Sequence, residues 1–249
     1  YAMDAMTTVT ASLIDRELED YMVETAMLKV FTTEALWTIV NDAFQIHGGA
    51  AYMTDRPLER MLRDARINQI GEGANEVLVS FIALVGMRGP GLQLQQLWDA
   101  LHHPASGLRK AWKVGVERVG AAVRVPDVPV RSPQLLLHAQ RLGRSIWRFN
   151  IEVNRALIRY REEILDRQYV QERIARVAME LFASACVLSR WDAELQSTPA
   201  RPSTDGVANG AADLFLRRSH RRTHQWLAEL RNNDDAAVTA TANEALRSK

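Results

Sequence analysis

Residues 142–164 read LGRSIWRFNIEVNRALIRYREEI, and Leu142, Ile146, Phe149, Val153, Leu157, Tyr160 and Ile164 recur at steps of three and four residues. That spacing keeps one side of a 3.6-residue helix apolar over several turns. After Asp166 a second stripe follows, with Val170, Ile174, Val177, Leu181, Leu188, Trp191 and Leu195. Two long helices joined by a short turn predict an antiparallel hairpin.

Upstream, Met22, Ala26, Val30, Leu36, Val40 and Phe44 predict another long helix over 21–46, ended by Gly48 and Gly49. A glycine pair takes positive φ where a β-carbon would clash. Residues 50–66, rich in Asp and Arg and broken by Pro57, read as a connection. A further helix is expected after Gly73, carrying Val77, Leu78, Phe81, Ile82 and Val85, with Gly89-Pro90-Gly91 closing the unit. VRVPDVPVRSP holds three prolines and reads as extended linker, 197–210 as a loop, Ala211–Arg231 as helix and the remainder as a polar tail. No segment reads as strand. The expected fold is all-α, divided into 1–91, a 92–132 linker with an amphipathic segment, and 133–249.

Composition narrows the function. Charged residues make up 24% and apolar ones 47% of the 249, with a formal net charge of +1, so the chain buries a core and is neither disordered nor collagen-like. No window reaches eighteen apolar residues, so no membrane span is expected. Four of the 31 basic residues are lysines, but 30 acids balance them, which argues against nucleic acid as a partner. The single Cys186 lies in LFASACVLS and reads as a buried, reduced thiol. The chain opens at Tyr1 in helical sequence and reads as a C-terminal fragment. His220 and His224 stand at i, i+4 spacing with no third ligand, so no metal is expected, and the arginines around them suggest an exposed basic face.

One segment carries chemistry. Between the two helices of the first unit lies Ile67-Asn68-Gln69-Ile70-Gly71-Glu72-Gly73-Ala74-Asn75-Glu76. Glycines on both sides of a carboxylate let a main chain approach a ligand, and the helix start beyond it offers free N–H groups. Alone, the pattern is equally a turn with an exposed acid. Gln45-Ile46-His47-Gly48-Gly49 lies 27 residues before Glu72 and is equally an ordinary helix cap.

Taken together, QIHGGAAYMTDRPLERMLRDARINQIGEGANE resembles the signature of the flavin-dependent acyl-CoA dehydrogenases, a Q-I-x-G-G motif followed by an acid in E-G-T-x-[EQ]. The preceding AMLKVFTTEALWTIVNDAFQIHGG is similar to the family's bundle helix. HAQRLGRSIWRFNIEVNRALIRYREEILDRQYVQERIARVAMELFASACVLSR resembles the extra C-terminal helical domain of the very-long-chain branch. The resemblance implies a C-terminal helical bundle followed by that additional domain.

It also implies an activity: α,β-dehydrogenation of long-chain acyl-CoA to trans-2-enoyl-CoA in fatty-acid β-oxidation, with FAD as cofactor. Electrons would pass to an electron-transferring flavoprotein, and the enzyme would be a homodimer. Glu72 matches the catalytic base. An α-proton is weakly acidic, and its removal becomes feasible when hydrogen bonds to the thioester oxygen stabilise enolate character. Gly71 and Gly73 match positions that give the thioester room. Gln45, Gly49, Ala74, Asn75, Glu76 and Gln168 match flavin-binding positions, the first two toward the neighbouring subunit's flavin. The resemblance implies a bacterial cytoplasmic enzyme, peripheral to the inner membrane through 107–124, or a mitochondrial inner-membrane one in a eukaryote. Ala74 stands where the family has Thr, Gly71 where it has an aromatic residue, Val79 where Arg is frequent and Ala51 where the first motif has Gly. These departures leave a catalytically lapsed helical scaffold or assembly factor as the alternative.

Overall fold

The computed structural model describes residues 1–102, 124–197 and 202–248, with the side chains of 94, 96–102 and 202–205 left aside. Among the described residues every regular element is helical: α1 Ala2–Asp15, α2 Met22–His47, α3 Gly49–Tyr52, α4 Leu58–Ile67 and α5 Asn75–His102 in the first part. After the gap come α6 Leu136–Tyr160, α7 Gln168–Gln196, α8 Pro202–Glu229 and α9 Asp235–Arg247, with short 3₁₀ turns at Pro133–Leu135 and Arg161–Asp166.

Helix α7 organises the molecule. Val170, Ile174 and Val177 start a face that continues through Leu181, Val187 and Leu188 to Trp191, all buried. α8, α5, α1, α6 and α2 pack around it. Two cores result. In one, Ala139 and Leu142 of α6 meet Leu181, Leu188 and Trp191 of α7, together with Ala5 and Met6 of α1 and Leu216 of α8. In the other, Val153 and Ala156 of α6 meet Val170 and Ile174 of α7, together with Val30 of α2 and Ile82 of α5. The early part of α6 therefore lies beside the late part of α7 and the reverse, which is the expected antiparallel hairpin. Both cores draw on both halves of the chain, so neither half completes its own.

Cys186 is 1% exposed, and burial pushes its thiol up to about 12. As expected, Gly48 ends α2 at φ +57.

Four connections differ from the sequence reading. Residues 50–66 contain α4, because Pro57, with φ −74, suits a helix start and buried Ala65 faces inward. α5 runs on through Pro90 to His102. Burial of Val79, Ile82, Ala83 and Met87 anchors its first half, and a β-carbon at Gly86, Gly89 or Gly91 would meet nothing within 4 Å, so no neighbour crowds the helix around Pro90. α8 begins at Pro202 rather than Ala211, and Trp191 Nε1 donates to Asn209 Oδ1 (2.5 Å) within the stretch expected to be loop. The tail forms α9, which buries nothing and is held by Arg173 donating to both carboxylate oxygens of Asp235 (2.7 and 2.6 Å).

Residues 124–130 form no regular element, in keeping with a proline-rich linker, but Val128 and Val130 pack on the first core. The amphipathic segment at 107–124 lies outside the described residues except for Arg124. No described helix is long and apolar enough to cross a membrane.

Candidate active-site turn

The turn between α4 and α5 presents Glu72. Gly71 N–H donates to the Ile67 carbonyl (2.8 Å) and closes α4, and Asn75 N–H reaches back to the Gln69 carbonyl (3.0 Å). Between these two bonds the chain reverses through left-handed conformations, with Glu72 at φ +55 and Gly73 at φ +94. Glycine adopts such a conformation freely. For glutamate it costs about 1 kcal/mol or more, so the surrounding structure must hold it. A β-carbon at Gly73 would also meet the Leu78 side chain at 3.4 Å. Glu72 is exposed, as are Gly73 and Glu76, while Gly71 and Ala74 are half-buried.

Asn75 is 5% exposed and turned inward. Its Oδ1 accepts from Lys29 Nζ (2.8 Å), and its Nδ2 donates to Thr33 Oγ1 (3.0 Å). Lys29 Nζ also donates to the Gly73 carbonyl (2.7 Å). Burial pulls the Lys29 amine below its usual range, while the Glu76 and Glu72 carboxylates push it back up. Sequence reasoning missed Lys29 and Thr33. The available signal was a lone lysine one turn from a threonine on α2, in a chain whose basic residues are nearly all arginine.

Gln45 and Gly49 are exposed at the C-terminal end of α2, beside the paired rings of Phe44 and Tyr52 (6.5 Å between centroids). Sixteen residues separate Gln45 from Lys29, which is about 24 Å of helix at 1.5 Å per residue. Within one chain, Gln45 and Gly49 therefore do not join Glu72, although Tyr52, Met53 and Ile46 around them are exposed at 75%, 59% and 82%. Gln168 is exposed on the first turn of α7, whose Val170 shares a core with Val79 and Ile82 of α5.

The residues fit a flavin unevenly. Gln45, Gly49, Glu76 and Gln168 are open to a ligand approaching from outside. Ala74 has no hydroxyl to offer, and the Asn75 amide is already engaged. An open groove of about 570 Å³ between α1 and α2 is lined by Met3, Thr7, Leu28, Lys29, Thr33 and Leu36 among others, and Glu72 is not part of its wall.

His220 and His224 lie half-buried at the seam of α6 and α8 rather than on an exposed face. His220 Nδ1 pairs with Ser145 Oγ (3.3 Å), and His224 Nδ1 lies 2.9 Å from Arg148. Burial first, then the neighbouring positive charges, pull both imidazoles below their usual range. Among the described residues no group of three or more His, Cys, Asp or Glu could hold a metal.

Comparison with known proteins gives two family matches. Residues 1–86 match the acyl-CoA dehydrogenase C-terminal domain, and residues 133–247 match the ACAD9/ACADV C-terminal domain. The chain is 31% identical over 194 residues to the human mitochondrial very long-chain specific acyl-CoA dehydrogenase, covering 76% of this chain and 30% of that protein. The mouse protein of that name is 30% identical with the same coverage. A Mycobacterium tuberculosis protein described as probable acyl-CoA dehydrogenase FadE10 is 26% identical across 100% of this chain and 40% of its own length. The chain thus spans 30–40% of these relatives. In fold it is similar to a Bacillus anthracis acyl-CoA dehydrogenase crystallised with FAD, at a TM-score of 0.72 and 20% identity over 97% of this chain and 42% of that one. The chain belongs to the acyl-CoA dehydrogenase family, of which it carries C-terminal helical domains.

Proposed function

We propose that the chain is the C-terminal part of an FAD-dependent enzyme that converts long-chain acyl-CoA to trans-2-enoyl-CoA and passes the electrons to an electron-transferring flavoprotein. The observation that carries this reading is Glu72, an exposed carboxylate held left-handed between two glycines at the mouth of α5. An exposed carboxylate on this turn is accessible to take the α-proton of a thioester. Gly71 and Gly73 put no side chain between that thioester and the backbone. Bound FAD supplies the acceptor for the β-hydrogen, which leaves as hydride.

In this proposal Glu76, Ala74 and Gln168 line the flavin on the same subunit. Gln45 and Gly49, about 24 Å along α2 from Lys29, serve the flavin of a second subunit. That division supports a homodimer. Asn75 acts from inside, through the bonds that its amide makes to α2.

The test uses the full-length protein, mixed anaerobically with palmitoyl-CoA while the oxidised flavin band is followed. The wild type bleaches. Glu72→Gln retains flavin and does not bleach, since an amide cannot accept the α-proton. Bleaching at the wild-type rate by Glu72→Gln would overturn the assignment. A wild type that binds FAD and bleaches with no acyl-CoA would favour the scaffold reading.

A further inference from the structure

We propose that Lys29 is a positioning residue for Glu72: its ammonium ties the Gly73 carbonyl and the Asn75 side chain to α2, and so holds the Glu72 backbone in its left-handed conformation. The proposal rests on Glu72 being the base.

A carboxylate flanked by glycines has little intrinsic preference for one orientation, because each glycine samples both signs of φ. Glu72 nonetheless occupies φ +55, next to Gly73 at φ +94. The two main-chain bonds that bracket the turn do not reach Glu72 or Gly73 themselves, so a tie from a neighbouring element adds to their hold. Lys29 reaches it from α2, a helix anchored in the second core by Ala26, Met27 and Val30. One donor bond goes to main chain immediately after Glu72 (Gly73 carbonyl, 2.7 Å), and another goes to the first residue of α5 (Asn75 Oδ1, 2.8 Å). Thr33, one helical turn further along α2, takes the other end of the same amide (3.0 Å).

The residue type suits the task. An ammonium offers three donors over a cone and can meet two acceptors from different segments, whereas the planar guanidinium fork suits two acceptors side by side. This explains a lysine here in a chain that otherwise uses arginine almost throughout. The Glu76 and Glu72 carboxylates favour the charged form of the amine. The ammonium's two bonded partners, a main-chain carbonyl and a side-chain amide, belong to the catalytic turn and to the helix start that follows it. A lysine serving only to solubilise the surface would not gather these partners.

The experiment measures flavin reduction in the full-length holoenzyme with palmitoyl-CoA, in wild type, Lys29→Met, Asn75→Ala, the double variant and Glu72→Gln. Misplacing a reacting group by about 1 Å costs on the order of a hundredfold in rate. Lys29→Met is therefore expected to lower the limiting reduction rate by roughly 10- to 100-fold, with flavin content and apparent acyl-CoA affinity within about twofold of wild type. Lys29→Gln, which keeps an N–H donor, is expected to recover part of the rate. The double variant should be less impaired than the product of the two single effects, because both substitutions release the Lys29–Asn75 bond. If Lys29→Met does not accumulate as folded protein, Lys29→Gln and Asn75→Ala carry the same comparison.

A limiting rate within about twofold of wild type in the lysine variants, independent multiplication of the two single effects, or loss of flavin as the primary defect would each overturn the proposal. Any of these with Glu72→Gln still inactive removes Lys29 alone and leaves the base assignment standing. Glu72→Gln at the wild-type rate removes the base assignment itself.

Discussion

Gln171→Leu tests how the α6–α7 hairpin is held. Gln171 is 1% exposed, and its Nε2 donates to the carbonyls of Ile164 (2.7 Å) and Leu165 (2.9 Å), which belong to the 3₁₀ turn between the two helices. Leucine has nearly the same volume and no donor. Each lost bond removes about 1 kcal/mol. The Ile164 carbonyl keeps the Arg167 N–H (3.3 Å), while the part-buried Leu165 carbonyl loses its Gln171 partner, adding about 1 kcal/mol more. The fully apolar side chain returns up to about 1 kcal/mol. The net loss is about 2–3 kcal/mol, equivalent to roughly 4–12 °C in Tm for a chain of this length. Urea denaturation followed by circular dichroism measures it. Gln171→Glu is the companion variant, since its carboxylate would face two carbonyl oxygens, and it should lose more than leucine does. A Gln171→Leu midpoint within about 0.5 kcal/mol of wild type, or a glutamate variant as stable as wild type, would refute the argument that these two bonds hold the turn.

Gly143→Ala replaces glycine with the better helix former in the middle of α6, yet it should destabilise. A β-carbon there would stand 2.4 Å from the Pro126 carbonyl oxygen, so the linker segment must move. The overpacking cost of about 1–3 kcal/mol exceeds or cancels the propensity gain of about 1 kcal/mol, and a Tm clearly above wild type would contradict the close approach. Asp192 accepts the N–H groups of Arg131 (2.9 Å) and Ser132 (2.8 Å). Burial raises its carboxyl, but those bonds, the Ser132 hydroxyl and the Arg131 charge outweigh it and hold the group below its usual range. A depressed folded value means stability present above the unfolded pKa and lost as pH falls through the folded one. The advantage of wild type over Asp192→Asn in urea should therefore be full at pH 7 and shrink below about pH 4, and an advantage that stays constant down to pH 2 would exclude this carboxylate as its source.

The helices were legible because periodicity is local: the three- and four-residue steps of 142–164 need no partner to be read. The end of α2 at Gly48 was legible for the same reason, since positive φ at a glycine is a property of one residue. The pattern around Glu72 was equally visible as a string of residues. Local signals misled where they conflicted with packing. Pro90 reads as a stop, but the burial of Val79, Ile82 and Met87 carries α5 past it. Asp- and Arg-rich 50–66 reads as a connection, yet it packs α4 against α2.

Local pattern was enough to give an all-α chain, the hairpin of α6 and α7 and the stretch that holds the acid. It could not show that α1, α2 and α5 complete their cores on α7, that His220 and His224 lie in a seam, or that Lys29 meets Gly73 and Asn75. These contacts join residues tens of positions apart, and which distant faces meet depends on the joint packing of every helix, which no local repeat encodes.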